Sequence, residues 1–156
     1  MNDTSSTPQD QVEQDTERQL EGIAGWLILP AIGLVLNPIL ASIGLFLLLR
    51  MYRDAARAGY GSVYVLEMIV GFGLLLLAVY AAIQFFGKKK GAPRTMIILI
   101  SANLVASLVL LGIESSAGPE ALAVESAKQL PIQIAAAVIW IPYFLVSKRV
   151  KATFVS

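Results

Sequence analysis

The sequence predicts an all-α integral membrane protein: a bundle of four transmembrane helices with short loops and an acidic, largely disordered N-terminal tail. Two observations lead there. Of the 156 residues 56% are hydrophobic and only 15% charged, where a soluble domain carries about 25% charged residues. The apolar residues are also gathered into four long runs, each near the 17–25 residues that cross a bilayer as a helix. Helices are the economical solution, because lipid leaves no partner for open backbone N–H and C=O groups.

Residues 1–21 form the tail. Asp3, Asp10, Glu13, Asp15, Glu17 and Glu21 stand against Arg18 alone. The stretch has no basic start followed by a short apolar region, so it does not read as a secretory signal. Its first part is expected to be disordered, while "DQVEQDTERQLEG" also suits a helix. The membrane domain is expected over 22–154.

Span one is read at 25–49. Pro30 and the pair Asn37-Pro38 fall inside it. Proline removes a donor and crowds the preceding turn, so a kink is expected, with a re-entrant hairpin at Asn37-Pro38 as the weaker alternative. Spans two, three and four are read at 63–86, 95–113 and 130–146. Small residues recur four apart, as Ala78 with Ala82, Ala102 with Ala106, and Gly33 with Asn37 and Ala41. That spacing lets helices approach closely but is common in apolar sequence.

Orientation follows from Lys and Arg. Arg18, Lys88, Lys89, Lys90, Arg94, Lys148, Arg149 and Lys151 lie on the side of the termini; Arg50, Arg53, Arg57 and Lys128 lie on the other. The excess places both termini in the cytoplasm. Arg50 and Asp54 are spaced to pair on one helix face. At the carboxyl end, Trp140 and Tyr143 suit a membrane–water interface, and Lys148, Arg149 and Lys151 suit anionic headgroups. "WIPYFLVSKRVK" therefore reads as a stop and an anchor.

Polar residues inside spans are where function is sought. Glu67 is read as the one ionisable side chain within a span, one turn into span two. Gln133 is read one turn into span four, at similar depth and within reach of Glu67. Arg53 or Arg57 is an alternative partner. Glu67 either reaches outward to water or faces the bundle as a ligand, ion or proton site. Asn37 and Asn103 fall near mid-span, so a hydrogen bond between helices is expected there, with Ser107 one turn beyond Asn103 on the same face.

The chain has no Cys and no His. It cannot by itself supply a Cys nucleophile, a Ser-His pair, a common zinc site or a histidine-held haem. Asp54 is the one Asp beyond the tail, which argues against an aspartyl dyad. No enzyme activity, metal or cofactor is expected. A net charge of +1 without a basic face argues against nucleic acid. The expected partners are the lipid bilayer and either another membrane protein or further copies of the chain.

"GIAGWLILPAIGLVLNPI" near the start and "WIPYFLVSKRVKATF" at the end resemble the bacterial membrane proteins grouped as the domain-of-unknown-function 2569 family. The resemblance covers 22–154. It implies four transmembrane helices in a bacterial inner membrane, with an acidic residue early in span two, here Glu67, as part of the pattern. It implies no activity. Two functions remain in view: a non-catalytic scaffold that holds a partner, and a small ion-coupled or solute carrier using Glu67.

Overall fold

The computed structural model describes residues 27–147, 150 and 153–154. The acidic tail, Lys148, Arg149 and Lys151 lie outside them. Among the described residues there are four helices and no strand: α1 (Ile28–Arg57), α2 (Gly61–Phe86), α3 (Ala92–Ala117) and α4 (Glu120–Val146). All four are long and apolar enough to cross a membrane.

The helices run well past the expected spans where polar residues continue the helical register. α1 has 30 residues, about 45 Å at 1.5 Å per residue, against about 30 Å of hydrocarbon. Its last turns, with Arg50, Arg53, Asp54 and Arg57, therefore overshoot the bilayer core. α4 begins ten residues earlier than expected, at Glu120, whose carboxylate suits a helix amino terminus. Only Gly118 and Pro119 separate α3 from α4. α1 is continuous through Asn37-Pro38, so no re-entrant hairpin forms.

The turns have identifiable causes. Gly59 (φ 89°) closes α1: its N–H donates to Ala56 C=O, and the Tyr60 N–H donates to Ala55 C=O at 2.8 Å. This is the paired-bond helix stop that glycine's left-handed conformation permits. Lys88 (φ 51°) takes the same role after α2, with the Lys89 N–H bonded to Gln84 C=O at 3.1 Å.

Consecutive helices pack on one another, most extensively α1 with α2 and α3 with α4, and less so α2 with α3. α1 and α4 touch only marginally. In the most apolar stretch of each helix only 6–11% of residues are buried, so the apolar exterior is the lipid-facing surface.

The core is lopsided. Leu27, Ala31 and Leu34 from the start of α1 meet Ala78, Ala81 and Phe85 from the end of α2. Ala92, Met96 and Leu99 of α3 and Phe144 of α4 join them. All lie toward the end where the termini emerge. Val150 and Phe154 complete this cluster, with the Phe154 ring 5.2 Å from that of Phe85. Val150 and Phe154 thus pack into the core, while the anchor cations Lys148, Arg149 and Lys151 lie outside the described residues. Trp140 and Tyr143 are half-buried, their rings 5.6 Å apart, and both pack against the same cluster.

Candidate functional site: an amide-lined cleft and a buried carboxylate pair

Because α1 and α4 barely meet, a cleft of about 820 Å³ lies between them, backed by α3. Asn37 on α1, Asn103 on α3 and Gln133 on α4 line it, with Trp140 at one end. Counted from the helix ends nearest the termini, the three amides lie about 14, 17 and 20 Å along their helices at 1.5 Å per residue. They share a depth near the middle of the bundle.

Asn37 and Asn103 do come to one place, but not as a bonded pair. The Asn103 side-chain N–H donates to Leu99 C=O of its own helix at 3.0 Å. Asn37 is exposed to the cleft and makes no hydrogen bond among the described residues. The following Pro38 has no N–H to offer Leu34 C=O, and Leu34 also lines the cleft. Gln133 Oε1 is buried without a partner. Gly33 and Ala41 open onto the same space, so this small-residue row makes room where sequence spacing suggested close helix contact.

The expectation of a Glu67–Gln133 contact fails for a simple reason. α4 starts at Glu120, which puts Gln133 mid-helix, while Glu67 lies in the second turn of α2. Arg53 and Arg57 do not reach Glu67 either. Arg57 lies 3.6 Å from Asp54 with both side chains exposed, and Arg53 is exposed. Arg50, expected to pair with Asp54, stacks on the Phe46 ring at 4.6 Å.

Glu67 nevertheless faces inward. Tyr64, Glu67, Gly71, Leu74, Ala78, Ala81 and Phe85 fall at alternating steps of three and four along α2, and each is buried or half-buried. Glu67 sits on that stripe, half-buried, with Oε2 fully buried and unbonded. Its electrostatic neighbours are Glu114 and Tyr64.

Sequence reasoning missed Glu114. It lies three residues from the end of α3, is 1% exposed, and both its carboxylate oxygens are buried without a hydrogen bond. The apolar run of span three ends at 113 because the charge of Glu114 interrupts it. The available signal was facial: Asn103, Ser107 and Glu114 fall at steps of four and seven, which on a helix is one stripe. Ser107 is half-buried on it. The Gly118 N–H bonds Glu114 C=O at 2.9 Å, and a Cβ at Gly118 would stand 2.8 Å from the Glu114 Cα. A side chain at this position would strike the Glu114 backbone, so the turn after α3 needs glycine.

Among the described residues no three His, Cys, Asp or Glu side chains gather to hold a metal ion. The family described as "Protein of unknown function (DUF2569)" matches residues 20–155. The chain belongs to that family. Its members' description assigns no activity, so family membership fixes kinship and leaves the work of the cleft to physical argument. No curated protein and no solved structure matches the chain. What stands is a DUF2569 member with four helices able to span a membrane.

Proposed function

We propose that this is a non-catalytic scaffold of the bacterial inner membrane, both termini cytoplasmic, that holds a transmembrane helix of a partner protein in the α1–α4 cleft. The observation that carries this reading is the open seam with unsatisfied amides at mid-depth. Hydrocarbon tails can fill such a cleft but cannot bond Asn37 or Gln133. A helix with a hydroxyl or amide at the matching depth can, at about 0.6–2 kcal/mol per bond. The lined length also suits a helix: on α1 it runs from Leu29 to Gly44, about 22 Å at 1.5 Å per residue. The eight-to-four distribution of Lys and Arg supports the orientation.

Photo-crosslinking tests it. A photoreactive residue at Leu36 or Ile132, both exposed in the cleft, should join one defined membrane protein in intact cells. The same probe at Ile69, 66% exposed on α2 outside the cleft, should not. The adduct should weaken when Asn37 and Gln133 are both changed to Leu. Adducts to phospholipid alone, or to a second copy of this chain, would refute the partner reading.

A carrier using Glu67 is the second reading, favoured by the inward direction of that side chain. It is weaker because Glu67 does not line the cleft, and a carrier needs its ion site and its solute site to communicate.

A further inference from the structure

We propose that the groove between α1 and α2 at the end nearest the termini, together with the cations of the α2–α3 connection, binds one anionic phospholipid: an acyl chain in the groove and the phosphate on Lys88, Lys89 and Lys90. The site is separate from the partner cleft, with which it shares only Leu36.

The groove holds about 380 Å³. Ile28, Ala31, Ile32, Val35 and Leu36 of α1 form one wall, and Phe86 of α2 forms the other. All are apolar, and all but Ala31 are about half exposed, so the groove opens on the lipid-facing surface. Phe86 stands edge-on to the fully buried Phe85, ring centres 5.6 Å apart, which fixes that wall. Ile28 is the first residue of α1 and Phe86 the last of α2, so the groove begins where the two helices begin and end. From Ile28 to Leu36 it runs about 12 Å at 1.5 Å per residue, within the roughly 15 Å of hydrocarbon in one leaflet. A partner helix would need the full thickness. A lipid tail needs one leaflet.

Charge decides which lipid. The chain passes from Phe86 through Gly87 into Lys88, Lys89 and Lys90. The Lys88 N–H bonds Phe85 C=O and the Lys89 N–H bonds Gln84 C=O, each at 3.1 Å, which ties the connection to the last turn of α2. The Lys89 stem lies back over that end, its Cγ and Cε 3.7 Å from where a Gly87 Cβ would stand. Arg94 follows in the first turn of α3. All four cations are exposed, and none pairs with a described carboxylate. Among the described residues Asp54, Glu67, Glu114, Glu120 and Glu125 all lie toward the opposite end of the bundle. Lysine stems can follow apolar surface while the ammonium groups stay at headgroup level. A zwitterionic headgroup would bring another ammonium to this cluster. A phosphate without one brings only the missing charge.

The test is native mass spectrometry of the full chain, stripped of lipid in detergent and titrated with phosphatidylglycerol or phosphatidylcholine of identical acyl chains. One phosphatidylglycerol per chain should bind, about tenfold or more tightly than phosphatidylcholine. Each cation near an anionic headgroup is worth about fivefold. Lys88→Gln, Lys89→Gln and Lys90→Gln together should therefore bring the two lipids level, while Lys88→Arg, Lys89→Arg and Lys90→Arg keep the preference. Ile32→Trp, which fills the groove from an exposed position, should weaken both lipids. Circular dichroism confirms that each variant keeps its helices. If the glutamine variant loses them, raising ionic strength on the parent should abolish the preference instead. Equal affinity of the parent for the two lipids would overturn the proposal, and so would a preference that survives the glutamine changes or high salt. Unchanged binding in Ile32→Trp would overturn the groove as the acyl site. Lipid binding only after removal of residues 2–21 would give the cations to the acidic tail, and displacement by an equal concentration of inorganic phosphate would make the ligand a free anion; either result overturns the proposal. None of these outcomes depends on crosslinking in the α1–α4 cleft.

Discussion

Phe85 and Phe86 are neighbours with the same chemistry and opposite surroundings, which makes them a matched pair for the packing argument. Phe85 is 0% exposed in the core cluster, while Phe86 is 48% exposed. In a soluble core, Phe→Ala costs about 3–5 kcal/mol, part from lost transfer and part from the cavity left behind. In a bilayer the transfer part shrinks, because lipid tails are as apolar as the protein interior. The cavity part remains, since close-packed neighbours relax only partially. Phe85→Ala should therefore cost about 2–3 kcal/mol, a shift of about 30- to 150-fold in the folding equilibrium. Phe86→Ala should cost under about 0.5 kcal/mol, as surface changes do. The assay is equilibrium unfolding in mixed micelles of rising denaturing-detergent fraction, followed by helix signal. Phe154→Ala combined with Phe85→Ala gives a double-mutant cycle, and ring contact predicts a coupling of about 0.5–1.5 kcal/mol. Equal losses for Phe85 and Phe86, or zero coupling to Phe154, would refute the lopsided core.

Other expectations follow from single residues. Reporter fusions at Ser156 should read as cytoplasmic and insertions at Gly118 as periplasmic; the reverse pattern would undo the orientation. At Gly71 a Cβ would lie 3.2 Å from Leu45 Cδ2, so Gly71→Ala should be close to neutral once its gain in helix propensity is counted. Gly71→Leu should cost about 1–3 kcal/mol by forcing α1 and α2 apart, read in the same unfolding assay. Lys88 holds a left-handed conformation that costs an L-residue about 1–2 kcal/mol. Lys88→Gly should raise stability by up to about 1 kcal/mol, and Lys89→Gly, without that geometry, should not.

The number and type of the helices were legible because hydrocarbon thickness sets a length that composition alone reveals. Their ends were not. Glu114, Glu125 and Lys128 interrupt the apolar runs, yet the helices carry through them, since backbone bonding does not stop where lipid stops. Ending the spans at the charges hides Glu114 and sets Gln133 beside Glu67, from which the longer α4 separates it. The inward aspect of Glu67 was readable as one of two orientations, and the stripe from Tyr64 to Phe85 decides it. The meeting of Asn37, Asn103 and Gln133 needed three helices in register, which no single segment encodes. The burial of Val150 and Phe154 depends on partners far away in sequence, such as Phe85, and apolar residues beside cations read equally well as an anchor.

The lopsided core also bears on how the molecule is made. Leu27, just before α1, and Phe154, beyond α4, belong to one cluster. During insertion α1 enters the bilayer before α4, and its half of that cluster waits among lipids until Phe154 has left the ribosome. Until then the early helices keep an unfinished face toward the membrane. That interval is when quality-control proteases can act, and when a chain cut short after α4 would be recognised as incomplete although every span is in place.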